Sequence, residues 1–430
     1  VKIMPLKIAL LSAAALTLAV QAHAGGFYLQ EQSARGAGRA YSGEVADQGV
    51  ESLWWNPAAI ASSPREVYVG AHGILVDGEA DDRGSTITYP GGITVPVGGE
   101  ARAFKPIRTG IAPNFAIATP IGDRFAVGFS VAAPFDFTAE YRPRAWARYD
   151  ALSSKLKTAD LQLTGAMKAT DWLDLGVAAN AEYTKATLSS AYPNLSPLLP
   201  DGVSQLSGDG WNWGWSVGAQ ARLGTVTLGA SYRSAMDHDL DGRVVQSGLL
   251  GPLSVANLDA AGKASLTTPW IAVLGARWRI NDRLTLDGQV QRFGWSQFKE
   301  IQVSLPGGGG ETLAQNYKDT SSGAVGLDYA VTDRLTLRTG IQFDQTPTPE
   351  ASRTARVPDG DRWLYSIGAT ARLAPSLQLD AALIHVEFED SRVSHDTVFN
   401  AGTPAQTTAQ LRGQVQGTGE IFSLGLRKTF

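Results

Sequence analysis

Fourteen stretches of this chain alternate apolar and polar residues, and the connections between them alternate just as regularly between tight and long. The stretches fall near residues 67–76, 108–118, 124–132, 158–168, 173–188, 211–223, 225–238, 267–280, 283–297, 317–330, 334–343, 362–373, 377–388 and 416–430. A period of two marks a strand with two unlike faces. Between residues 225 and 233, Val226, Leu228, Ala230 and Tyr232 share one face, opposite Thr225, Thr227, Ser231 and Arg233. A soluble sandwich alternates as well, so the connections decide. Residues 119–123, 169–172, 224, 281–282, 332–333 and 374–376 are tight turns. Long polar loops lie near 77–107, 133–157, 189–210, 239–266, 298–316, 344–361 and 389–415. Short turns on one side, long loops on the other and an even strand number are the pattern of bacterial outer-membrane barrels. Phe422, Leu424, Leu426 and Phe430 share a face at the carboxyl end. A closing strand with that lipid-facing row can seal against the first and leave no open edge. The expected fold is all-β: a fourteen-stranded antiparallel transmembrane β-barrel over residues 66–430, with both termini in the periplasm.

The amino terminus supports export. Lys2 and Lys7 precede an apolar run at 8–20, and Ala22-His23-Ala24 is a small-x-small cleavage site, so residues 1–24 are expected to be a cleaved signal peptide. The run is shorter than the roughly 20 residues that a membrane helix needs. No later stretch is apolar and long enough for one, which places the mature chain, from Gly25 onward, in the outer membrane as a multi-pass barrel. A net charge of -4 argues against a nucleic-acid partner, which calls for a basic surplus. With no cysteine in the chain, disulfides and thiolate metal sites are excluded. No cofactor or metal is implied.

Between leader and first strand lies a segment, residues 25–65, that fits neither a strand nor a domain of its own. It is rich in Gly, Ala and Ser, shows no helical apolar period, and still carries Phe27, Tyr28, Tyr41, Trp54 and Trp55. A linker has no use for that aromatic load. About fourteen strands enclose a bore too wide for their own side chains to fill, and this segment is expected to be a hatch inside it. A hatch argues against an open aqueous porin and for a gated conduit. Within it, Asn56-Pro57-Ala58 is a preformed kink, because Pro57 fixes φ and lacks an N–H.

These residues carry a family likeness. Gly26-Phe27, Leu29, Glu31, Ser33, Gly36, the run from Gly38 to Glu44 and Asn56-Pro57-Ala58 resemble the hatch of the FadL family, outer-membrane transporters of long-chain fatty acids. The likeness continues in Gly208-Asp209-Gly210-Trp211, Gly214-Trp215, Tyr232-Arg233-Ser234, Trp295-Ser296, Arg338-Thr339-Gly340, Phe343-Asp344, Pro347, Pro349, Arg353, Pro358-Asp359 and Asp361-Arg362. The resemblance implies transport of hydrophobic ligands, and with no nucleotide-binding loop or energy-coupling box evident near the amino terminus, movement is expected to be passive. Capture at an outer groove between long loops leads to a deeper apolar pocket, and the exit is sideways, through a gap at an inward kink of the third strand. It implies that Phe27 lies near that pocket and that Asn56, Pro57 and Ala58 rearrange during release. Relatives in the family move monoaromatic hydrocarbons or other lipophiles, so the alternatives are hydrocarbon uptake and lipid export.

Candidate ligand contacts follow. Trp146, Arg148 and Tyr149 lie in the long loop 133–157, where aromatic rings mixed with guanidinium groups suit an acid with an apolar tail. The same mixture suits an interfacial belt or a grip on lipopolysaccharide phosphates. Trp146, Tyr149, Leu152 and Leu156 follow helical spacing and predict a short amphipathic helix. Leu198, with Leu195, Pro197 and Leu199, and the cluster Leu249, Leu250, Pro252 and Leu253 are apolar patches on outer loops, suited to a hydrophobic partner. Lys185 near the top of the fifth strand and Lys318 at the start of the tenth are candidates for pairing an acid head group, or are strand-end lysines facing water. Gly128, in a third strand that runs into Ala132-Ala133-Pro134, is the expected site of the gating bend. The barrel is expected to work as a monomer among outer-membrane lipids. An enzyme is the rival class, but the chain has no G-x-S-x-G elbow and no H-E-x-x-H, and His72, His238, His385 and His395 stand apart.

Overall fold

The computed structural model describes residues 25–306 and 309–430. The leader expected at 1–24 lies outside the described residues. Fourteen long strands form the wall: β1 (Glu66–Asp82), β2 (Gly110–Ile121), β3 (Phe125–Ala132), β4 (Ser153–Lys168), β5 (Leu173–Tyr192), β6 (Gly202–Leu223) and β7 (Val226–Arg233), then β8 (Ile271–Arg279), β9 (Leu284–Phe293), β10 (Thr320–Thr332), β11 (Leu335–Asp344), β12 (Arg362–Ala374), β13 (Leu377–Phe388) and β14 (Thr407–Thr429). Each pairs antiparallel with its chain neighbour. The ring closes where β14 meets β1, in register from Glu66 opposite Thr429 to Asp82 opposite Gly413. Closure is what makes a sheet admissible in a bilayer, because no backbone edge is left unpaired. All fourteen expected strands are present.

The polarity of the wall is the reverse of a soluble protein's. On β5, Asp174, Asn180, Glu182 and Thr184 are buried and face the bore, while Leu175 and Val177 are exposed. Outward rows elsewhere include Trp211, Trp213 and Trp215 on β6 and Phe422, Leu424 and Leu426 on β14. These are the lipid-facing and girdle positions of a transmembrane barrel.

The long connections, expected as polar loops, carry hairpins of their own. Thr86–Tyr89 and Ile93–Pro96 form a hairpin. Met236–Ser247 and Leu258–Thr268 form a longer one, laid along the outer half of β6 from Val203 to Asp209. The short helix expected around Trp146 does not form. Trp146–Tyr149 is a single 3-10 turn, and Leu156 is already on β4. Its spacing matched a helix by coincidence, and the sheet ladder won.

Candidate functional site

Residues 25–63 run down the inside of the cylinder and are buried throughout, save half-buried Asp47, Gln48 and Ser62. They have little regular structure, so their backbone groups bond to side chains projecting inward from the wall. Val45 N–H donates to Gln289 Oε1 of β9 at 2.9 Å and Val50 N–H to Glu66 Oε1 of β1 at 2.8 Å. Gln162 of β4 donates to the Leu53 carbonyl at 3.0 Å and Gln220 of β6 to the Asp47 carbonyl at 2.7 Å. One turn of helix, Ala34–Ala37, is capped by Ser33, whose Oγ accepts from Gly36 N–H at 2.9 Å.

Charge binds this segment to one sector of the wall. Arg39 is fully buried and ion-paired to Glu44, to Asp47 at 2.6 Å and to Asp328 of β10 at 3.2 Å. Arg277 of β8 bridges Asp47 at 3.1 Å and Asp328 at 2.9 Å, and Arg338 of β11 reaches Asp328 at 3.1 Å. Partners from three strands and the segment thus neutralise one another away from water.

The Asn-Pro-Ala motif is fitted into the adjoining sector of the wall, at β5 to β7. Asn56 caps the 3-10 turn Pro57–Ile60, accepting from Ala58 N–H at 2.9 Å. Its amide donates to the Val45 carbonyl at 2.7 Å and to the Ala219 carbonyl of β6 at 3.0 Å. Wall glycines make the room: a Cβ on Gly218 would lie 1.9 Å from Asn56 Oδ1, and one on Gly176 2.3 Å from the Pro57 carbonyl carbon. Gly218→Val is therefore expected to unseat the motif while leaving the barrel closed. Limited proteolysis of the detergent-purified protein should cut within residues 40–64 at least tenfold faster, with the barrel fragment unchanged; equal protection would show that the seat tolerates a side chain.

The ladder of the third strand is interrupted, and the interruption does not fall at Gly128. That residue is in regular register, opposite Ala118 and Thr164, and a Cβ there would strike Ile60 Cδ1 at 2.7 Å; it makes room for the hatch rather than for a kink. The ladder between β2 and β3 stops at the pair Phe115–Val131 and resumes only at an isolated bridge between Ile107 and Ala139. The break falls at Ala133-Pro134, where proline removes a donor. The stretch after the break pairs with the amino-terminal segment instead: Leu29 N–H donates to the Pro134 carbonyl at 2.8 Å and Asp136 N–H to the Phe27 carbonyl at 3.1 Å.

Beside that junction lies an apolar chamber of about 660 Å³, lined by Phe27, Phe137, Leu156, Leu240, Leu266 and Phe298 among others. The Phe27 ring meets Trp295 edge-on at 4.9 Å and Phe298 at 5.3 Å. Two cations reach the chamber, Lys155 and Arg356. Lys155 is committed to Glu140 at 2.7 Å. Arg356 has only the Ser154 hydroxyl, at 3.4 Å, and makes no ion pair among the described residues. Burial holds its guanidinium below the usual arginine range, partly offset by the more distant Asp150. A second cavity of about 620 Å³ shares Phe137 and Val357 with the first and reaches Gly26 and Asp359. A third, of about 290 Å³, lies between Tyr28, Trp54, Trp55, Pro57 and Arg233.

Of the residues singled out from the sequence, Phe27 lines the chamber and Pro57 the third cavity, while Asn56 and Ala58 join hatch to wall. The others lie elsewhere. Lys185 is exposed, since odd positions of β5 point outward, and Lys318 is exposed just before β10. Trp146 is buried against the wall where β14 meets β1, its ring over Gly413 and its indole N–H donating to the Ala80 carbonyl at 3.0 Å. Arg148 and Tyr149 both bind Asp201, at 2.9 Å each. Leu198 is 92% exposed, far out on a loop tied to the Leu250 loop through Asn194, which accepts from Leu250 N–H at 2.8 Å. The two apolar patches read from the sequence thus sit side by side. Arg356 was missed. Its only sequence signal is a lone cation between Ala355 and Val357 in a loop.

The profile of the family described as outer membrane protein transport protein (OMPP1/FadL/TodX) matches residues 15–430. A long-chain fatty acid transport protein of Escherichia coli O6:H1 is 29% identical over 406 residues, covering 86% of this chain and 88% of the relative. The crystal structure of a Pseudomonas aeruginosa FadL homologue superposes with a TM-score of 0.82 at 25% identity, over 94% of this chain and all of that one. The Ralstonia pickettii toluene transporter TbuX shares the fold, with a TM-score of 0.65 at 17% identity over 93% of this chain and 99% of its own.

Proposed function

The chain belongs to the outer membrane protein transport family (OMPP1/FadL/TodX), whose members carry hydrophobic compounds across the outer membrane, and on that premise we propose that its cargo is a long-chain fatty acid, taken up passively. The observation that carries this reading is Arg356, a half-buried guanidinium that makes no ion pair among the described residues and lines a largely apolar chamber, whose other cation, Lys155, is already paired with Glu140. A neutral hydrocarbon has no use for such a group, whereas a carboxylate accepts a charge-assisted hydrogen bond from it. Burying a tail of about 16 methylenes contributes on the order of 10 kcal/mol, so the tail sets affinity and Arg356 sets head-group preference.

The route begins at the paired outer patches around Leu198 and Leu250, where an apolar molecule is captured from the water. It then enters the chamber beside Phe27. Exit is sideways, at the interrupted ladder between β2 and β3, into the apolar phase of the membrane. Residues 25–65 act as the hatch that keeps the bore closed to ions meanwhile, and residues 1–24 are removed on export so that the mature chain starts at Gly25. The likeness to the Escherichia coli fatty acid transporter supports this reading; the monoaromatic alternative predicts a different ligand ranking.

Displacement of a fluorescent fatty acid from the purified protein tests it. Oleate should compete at least tenfold better than methyl oleate, and toluene should compete poorly. Equal competition by acid and ester, with toluene effective, would make the cargo a neutral lipophile.

A further inference from the structure

We infer that the α-ammonium group set free at Gly25 by removal of the leader is a fixed charge of the lumen, seated between the carboxylates of Asp359 and Asp344. The inference rests on the processing site proposed above. Gly26 N–H donates to Asp359 Oδ2 at 3.1 Å, and a Cβ on Gly25 would lie 2.9 Å from Asp344 Oδ2. The chain start is therefore packed directly against both acids. Asp344 has a cation, Arg362, at 2.7 Å. Asp359 makes no ion pair among the described residues; besides Gly26 its partner is the Thr346 hydroxyl. One oxygen of each carboxylate, Oδ1 in both cases, is buried with no hydrogen-bond partner, although both residues are at least nine-tenths buried.

Two carboxylates facing one guanidinium leave a negative charge uncompensated, which is costly away from water. No second cation among the described residues supplies the missing charge, and burial pushes the Asp359 carboxyl up to about 7. A free amino terminus, ordinarily protonated below about pH 8, would bring one positive charge and three donors beside two carboxylates that each keep one acceptor oxygen without a partner. The approach is shaped for it. Gly25 and Gly26 both have positive φ, +79° and +72°, and a Cβ on Gly26 would lie 2.9 Å from the Trp295 ring. Side chains are excluded there.

The seat has a consequence for transport. Phe27 and Leu29, two and four residues on, hold the stretch that follows β3 through the hydrogen bonds already described. Anchoring the terminus positions the Phe27 ring in the chamber and the interrupted ladder beside it. Asp359 is thus a positioning residue, acting through the terminus rather than on the ligand.

Intact mass of the protein purified from outer membranes first establishes the terminus. Reductive methylation with formaldehyde and cyanoborohydride at pH 7.5 then reads the amine directly. In the folded wild type the Gly25 amine should react at least tenfold more slowly than after denaturation. Asp359→Asn should abolish most of that protection, while Asp282→Asn, at an exposed turn, should leave it intact, with lysine labelling equal in all three. A mass that starts at Gly25 combined with an amine as reactive folded as unfolded would overturn the seat alone. A mass that starts elsewhere would overturn the processing site and the seat with it. If Asp359→Asn does not assemble, wild-type protection by itself decides.

Discussion

Replacing Arg39 with alanine is expected to turn a closed barrel into an ion-conducting one. Arg39 has no exposed surface and holds Glu44, Asp47 and Asp328 at once. Breaking a buried ion pair by removing one partner costs about 3–5 kcal/mol, because the other charges are left uncompensated. The hatch has little to set against that. It contains one helical turn and three 3-10 turns, so its order comes from its bonds to the wall. The barrel, whose own ladders do not involve Arg39, should persist and run as a heat-modifiable band on a gel. In planar bilayers the wild type should show little steady current and Arg39→Ala large, long-lived openings; Arg39→Lys, which keeps the charge but loses the fork, should fall between. A folded Arg39→Ala protein as silent as the wild type would mean that packing alone retains the hatch.

The second large effect is expected at Arg356. Arg356→Leu should weaken oleate binding by about 10- to 100-fold, the equivalent of one hydrogen bond to a charged group at about 1.5–3 kcal/mol. Binding of methyl oleate should change less than threefold, because leucine keeps the chamber wall apolar and the tail is buried as before. Fluorescent-ligand displacement measures both. Equal losses for acid and ester would show that Arg356 shapes the chamber and does not read the head group. Lys185→Ala, on the outer face of β5, should leave both ligands unaffected.

Much of the wall could be read without coordinates. Each strand writes its own period of two, and each tight turn writes its Gly, Pro, Asn or Asp, so β1 to β14 appear in order with the correct partners. Strand ends were less legible. The stretch expected at 211–223 begins at Gly202, and that at 67–76 runs on to Asp82. Beyond the bilayer both faces meet water or other loops, and the alternation that marks a strand fades there. Loop chemistry was less legible still: Arg148 looked free to meet an acid until Asp201, 53 residues away, occupied it.

What the sequence by itself determined is the strand number, their up-and-down order and which rows meet lipid, because those follow from periodicity and turn chemistry within short windows. What only the tertiary structure decided is which charges face which cavity. A shift of one residue along a strand moves a side chain from bore to bilayer, which separates Lys185 from Glu182. The contact of Gly26 with Asp359 spans 333 residues and exists only once the ring has closed around its own amino terminus.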